Sequence, residues 1–297
     1  VERKLSDLYK MAVDTDRREK DGLSPVQPIL KRLEAAKTTS QLFAIQKEMM
    51  PAGAPMFYGA GIGADEMNAT QNILGVNQGG LTLGQKDYYL ENDPATTKIR
   101  EAYKLHIVKM FRLFGFKTGA AQKKMQNVMK IEMALAKVSR SNTQLRDPKA
   151  NYNKMTLQEF QSKYPHLQLE QLMNAKGIDS KYLQTLVVGQ PYFRAGAEKV
   201  IAGLSAPAYR DWMEWRIING AANLLNDEAA QASFDFYGKV MAGRKENHPL
   251  WRRATSQVEG VMGEALGKIY TEKYFPASSK KRMTTLVENL RIALGER

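Results

Sequence analysis

The chain contains no cysteine, so neither a disulfide nor a thiolate-held metal is open to it. Many exported bacterial proteins share this absence, and it leaves the compartment open. Histidine is nearly as scarce. His106, His166 and His248 are the only three, far apart, and no His pair occurs at the helical spacing of a zinc-binding His-Glu-x-x-His. No apolar run approaches a membrane span, and the first residues, VERKLSDLYK, read as an amphipathic helix and not as a signal core. With 297 residues the chain can bury enough apolar area to fold without staples. It starts at Val1, inside a helical pattern and without an initiator methionine, which suggests an excised or processed piece.

Signatures of other chemistries are missing as well. No Gly-x-Ser-x-Gly occurs for a serine nucleophile. The run Gly59-Ala60-Gly61-Ile62-Gly63 invites a phosphate-loop reading, but neither the third dinucleotide glycine nor a Lys-Ser or Lys-Thr follows. A twisted strand or close packing accounts for these glycines better. The adjacent acids Asp65-Glu66 and Asp227-Glu228 are read as turn and helix-start residues, with Asp227 placed to cap a helix. A helix-surface His106 and loop positions for His166 and His248 are the expected settings of the histidines.

The net charge is +13, from 44 Lys and Arg against 31 acids. Such a surplus raises the question of nucleic acid. The basic residues are spread along helical segments, as at Lys98, Arg100, Lys104, Lys109, Arg112 and Lys117, and the longest clusters are Lys280-Lys281-Arg282 and Arg252-Arg253. That pattern predicts solvated helix faces, with at most a field that attracts acidic peptides.

Helical periodicity dominates. A first segment closes near Asp21-Gly22, and Pro25 with Pro28 opens a second in which Ile29, Leu33 and Ala36 share a face. Ile99, Tyr103, Ile107, Met110 and Phe114 form a stripe stopped by Gly115, and Met125, Val128, Ile131, Leu135 and Val138 form the next. Met56 to Ile62 and Ile73 to Val76 read as a small β-hairpin or ribbon. Thr156 with Glu159 has the form of a capping box, and Ser205 caps a helix that is apolar on more than one side through Tyr209, Trp212, Met213, Trp215, Ile217 and Ile218. Pro249 starts another helix, with Val258, Met262, Leu266 and Ile269 on one face, and a last stripe runs Met283, Leu286, Leu290, Leu294. The expected fold is mainly α, one large helical domain with a small β-hairpin or ribbon.

One stretch has the order of a signature. Asp65-Glu66-Met67-Asn68, then Asn72-Ile73, Gln78-Gly79-Gly80-Leu81 and Asp87-Tyr88-Tyr89-Leu90, resembles the neprilysin and endothelin-converting-enzyme family of zinc metallopeptidases, of bacterial oligopeptidase type. Further blocks follow in order: Ile131-Glu132 with Leu135-Ala136, Arg146-Asp147-Pro148, Tyr152 to Leu157, Asp211-Trp212-Met213-Glu214-Trp215-Arg216, Phe236-Tyr237, Trp251-Arg252-Arg253 and Ile269-Tyr270. The pattern often has Pro where Gly84 stands here, and animal members carry cysteines near Ala12 and Ala254, a difference that favours a disulfide-free bacterial-type member.

The resemblance implies that the family's zinc-binding and catalytic motifs all come after the matching region. On that basis residues 1–297 are the N-terminal, non-catalytic capping region of a zinc metalloendopeptidase that cleaves oligopeptides, and form a wall of the substrate chamber. No catalytic, cofactor-binding or metal residue is assigned to this chain, and zinc is expected in the missing catalytic domain. The implied partners are that catalytic domain of the same polypeptide and peptide substrates, with no nucleic acid and no membrane segment in this chain. A periplasmic or cell-surface location is implied by resemblance only. A rival reading is a stand-alone helical binding module for an acidic partner.

Overall fold

The structure, a computed structural model, describes residues 1–296 and falls into two compact units. One runs from Asp21 to Lys245, and the other joins Val1–Lys20 to Glu246–Arg297.

In the larger unit the helices begin and end where local chemistry directs. Asp93 accepts hydrogen bonds from the Ala95 and Thr96 N–H groups and Pro94 takes the first turn of the helix Pro94–Leu113, which ends at Gly115 with φ of 90°. Thr156 and Glu159 make the reciprocal capping box of the helix Leu157–Lys163. Ser205 accepts from the Ala208 N–H at the head of the helix Ala206–Ala221. One capping assignment shifts: Asn226, not Asp227, accepts from the Ala229 N–H, and Asp227 occupies the first turn, where its charge suits the helix dipole.

The hairpin is present and belongs to a larger sheet than expected. Strands β1 (Tyr58–Asp65) and β2 (Asn68–Gln78) pair antiparallel, with Tyr58 opposite Gln78 and an irregularity between Ala64 and Asp65. Strands β3 (Asn153–Thr156) and β4 (Thr185–Val188) complete the order β1-β2-β4-β3, with β4 parallel to β2 and antiparallel to β3. The glycines after β2 serve close approach. A Cβ on Gly79 would lie 2.8 Å from the Gly59 nitrogen, and one on Gly80, at φ of 79°, 2.7 Å from the Phe57 carbonyl oxygen.

The helix Ala206–Ala221 explains its all-round apolarity by contributing to two clusters. Trp212 stacks on Phe57, ring centroids 3.9 Å apart, in a core built on Leu74, Val76, Leu186, Val188 and Phe193. Trp215, almost one turn on, belongs to a second core with Tyr103, Ile107, Phe111 and Phe236. Both indoles are wholly buried. Tyr89 is buried in the same second core, whereas its neighbour Tyr88 is only half-buried.

In the smaller unit the helix Glu2–Val13 packs on Leu250–Tyr274, with Leu5, Ala12, Ala254 and Val258 buried. The stripe Val258, Met262, Leu266, Ile269 does not lie on one straight helix, because Met262 has φ of −134° and breaks it. The helix Ala277–Gly295 has no buried residue.

Candidate functional site

The histidines do not converge. His106 is not on the surface as expected but 4 % exposed. It follows Tyr103 by three residues, on the buried stripe of its helix, and its ring stacks on Phe236 and meets Trp215 and Tyr237 edge-on. Burial pulls its pKa down to about 4, so the ring is neutral at ordinary pH. His166 lies not in a loop but in the short 3-10 helix Pro165–Leu167, its Nδ1 on the Glu198 carboxylate, which also accepts the His166 and Leu167 N–H groups. His248 is exposed before Pro249. Among the described residues no group of three or more His, Cys, Asp or Glu side chains can hold a metal ion. The residues present therefore do not fit a zinc centre.

The glycine run lies in β1, as a strand reading requires. Asp65 is not a free turn acid: it is buried and accepts from the Met67 N–H at 3.0 Å, the Tyr152 hydroxyl at 2.7 Å and Lys154 Nζ at 3.0 Å. These bonds, that of the Met67 N–H first, hold its carboxyl below the usual range. Asp65 thus ties the β-hairpin tip to the start of β3.

The signature blocks contribute buried acids that composition and motif reading had not singled out. Glu132 is wholly buried and accepts from the hydroxyls of Thr82, Tyr89 (2.7 Å) and Tyr103 (2.8 Å). Trp215 Nε1 donates in turn to the Tyr103 oxygen at 2.9 Å. Burial pushes the Glu132 carboxyl up, against the opposing effect of these donors. Lys124 Nζ lies 2.8 Å from Asp211 and 2.5 Å from Glu214, and beside the rings of Phe111 and Phe116. Burial, partly offset by Lys124, raises Glu214 to about 7. The signal was legible in principle, since Glu132 falls on the helix face of Val128 and Leu135. Both networks face inward and tie helices together; the one around Glu132 pairs both carboxylate oxygens, whereas in the other the Glu214 Oε1 is buried without a hydrogen-bond partner.

The surface adds one feature. On the helix Ala277–Gly295, Met283, Leu286, Leu290 and Leu294 are 50, 49, 54 and 74 % exposed. An apolar stripe at helical spacing left in water is the mark of an interaction surface.

Comparison with known proteins places the chain. The model of Peptidase family M13 matches residues 1–297. Rat endothelin-converting enzyme-like 1 is 27 % identical over 240 residues, covering 80 % of this chain and 30 % of the rat protein. Human endothelin-converting enzyme 1 is 24 % identical over 311 positions, covering all of this chain and 40 % of the human one. The Mycobacterium tuberculosis zinc metalloprotease in its open state superposes with a TM-score of 0.87 at 28 % identity, over 97 % of this chain and 44 % of that one. PepO from Lactobacillus rhamnosis shares the fold, with a TM-score of 0.82 at 20 % identity over 96 % of this chain and 45 % of its own. The chain spans 30 to 45 % of the length of these relatives. With the family model matched from end to end and the fold shared, this chain belongs to peptidase family M13, the neprilysin and endothelin-converting-enzyme family, and represents its N-terminal region.

Proposed function

We propose that residues 1–297 form the non-catalytic capping region of a zinc metalloendopeptidase acting on oligopeptides, and supply a wall of its substrate chamber. The observation that carries this reading is the end-to-end family match by a chain that covers only 30 to 45 % of its relatives and whose described residues hold no metal-ligand set. Zinc bound outside these residues would supply the activated water of the reaction. The part played here is enclosure, which orients a short substrate and excludes bulky proteins. The exposed apolar stripe of the helix Ala277–Gly295 supports docking onto the catalytic part of the same polypeptide. A periplasmic or cell-surface location belongs to the same proposal and is tested by cell fractionation.

The test compares the intact peptidase with its catalytic part alone, on a short peptide and on a large unfolded protein. The intact enzyme should cleave the short peptide and spare the large one. A catalytic part that is folded, fully active and equally size-selective by itself would overturn the capping role.

A further inference from the structure

Strand β1 is an edge of the sheet. It pairs with β2 on one side, and among the described residues no strand lies on the other. The hydrogen bonds of β2 show which main-chain groups of β1 are free. The Val76 carbonyl accepts from the Gly189 N–H, and the Gln78 N–H donates to Gln190 Oε1, so these residues of β2 turn toward β4. Main-chain groups alternate sides along a strand, so Ile73, Gly75 and Asn77 turn toward β1 and bond with their partners Gly63, Gly61 and Gly59. Ala60, Ile62 and Ala64 therefore point their N–H and C=O groups away from β2, along the open edge.

Nothing blunts this edge. Native sheets protect such strands with Lys, Pro or a bulge. From Tyr58 to Ala64 there is no charged residue and no proline, and the irregularity of the hairpin comes only between Ala64 and Asp65. Gly61 to Ala64 are all exposed. The sheet face beside them is hollow: Gly61, Gly63 and Gly75 floor a groove of about 480 Å³, also lined by Leu145 and Tyr152. A Cβ on Gly61 or Gly63 would meet nothing within 4 Å.

We propose that an extended oligopeptide adds to the sheet as a strand along β1, its main chain bonded to Ala60, Ile62 and Ala64, and alternate side chains resting beside Gly61 and Gly63 in the groove. Recognition is of the main chain, and the glycines set no size for the side chain opposite, so capture tolerates many sequences. That the added strand is a peptide rests on the reading of the chain as part of an oligopeptidase. The open run supports a short partner over a second copy, since it is four residues long and a stable protein pair takes about 20–30 residues a side.

Amide hydrogen exchange of this chain, read by NMR with and without acetyl-Val-Thr-Val-Thr-Val-amide, tests the alternation. With about nine-tenths of the chain occupied, the Ile62 and Ala64 N–H groups should exchange about 10-fold more slowly. Those of Gly61 and Gly63, already bonded to β2, should change far less. The same peptide N-methylated at every residue should protect none of them. Ile62→Pro removes an N–H that the β1-β2 ladder does not use, which edge strands tolerate, and should weaken the peptide at least about 3-fold, the worth of one neutral hydrogen bond. If that variant fails to fold, the methylated peptide on the unaltered chain decides. Absent or uniform slowing, equal protection by the methylated peptide, or unchanged affinity in a folded Ile62→Pro would overturn the proposal. So would protection of Ile62 and Ala64 without peptide: lost on dilution, it assigns the edge to a second copy, and present only in the intact peptidase, to the rest of the same polypeptide. The capping role is read from size-selective cleavage and not from exchange, so either reading can fail visibly without the other.

Discussion

The Tyr103 hydroxyl donates to Glu132 at 2.8 Å, and neither residue is exposed to solvent. A carboxylate at that depth is tolerable only because Thr82 and Tyr89 donate to it as well. Glu132→Ala would leave three hydroxyls without their acceptor. We expect a loss of at least about 3 kcal/mol in urea unfolding, and a smaller loss for Glu132→Gln, which keeps the shape and part of the bonding. Equal losses in the two variants would show that volume, not hydrogen bonding, matters at this position.

Lys124 bridges Asp211 and Glu214 between two helices of the larger unit. Removing one member of a buried ion group strands the others, so Lys124→Met should cost about 3–5 kcal/mol, whereas the triple variant Lys124→Met with Asp211→Asn and Glu214→Gln should recover much of that loss. A double-mutant cycle on unfolding free energies measures the coupling.

Two buried groups oppose each other in their response to pH. Glu214 is raised from 4.5 to about 7, so its contribution is complete below 4.5 and is lost as pH rises through 7. His106 is lowered from 6.5 to about 4, so its contribution is complete above 6.5 and is lost as pH falls through 4. Between 4.5 and 6.5 the two slopes partly cancel. Relative to the parent, Glu214→Gln should show a urea midpoint that rises more steeply with pH in this window, and His106→Phe one that falls. Variants with the parent's slope would remove these groups from the pH response.

Leu286 and Leu290 are about half exposed on the helix Ala277–Gly295. Charge there costs the isolated chain little, within about 0.5 kcal/mol. If the stripe docks onto the catalytic part, Leu286→Glu with Leu290→Glu should leave the chain's thermal unfolding unchanged and lower the stability and peptidase activity of the intact protein. Unchanged behaviour of the intact protein would separate the stripe from the docking surface.

Much of the larger unit was legible because its signals are local. The helix boundaries at Gly115, Thr156 and Ser205 follow from caps and turns that involve residues within one helical turn. The Gly79-Gly80 pair entered only as part of the family signature, and that Phe57 to Gly59 packs against it is a contact between segments that no local pattern records. Strands β3 and β4 went unread because four residues are too few for a period of two to show. Asn226 and Asp227 are both good capping residues, and their adjacency gives propensity nothing to choose between them.

The helical character, the main capping sites, the hairpin and, through the ordered blocks from Asp65 to Tyr270, the family can all be read from residue order. Periodicity and capping act over a few residues, and a family pattern is a property of order. Tertiary structure alone decided which polar residues lie inside. Glu132, Glu214 and His106 carry groups that propensity assigns to the surface, and only partners distant in the chain make their burial tolerable: Tyr89 and Tyr103 for the first, Lys124 for the second and Phe236 with Asn219 for the third. The same holds in reverse for Met283 to Leu294. Its periodicity marks a face, while its exposure depends on what packs against it, which no local pattern records.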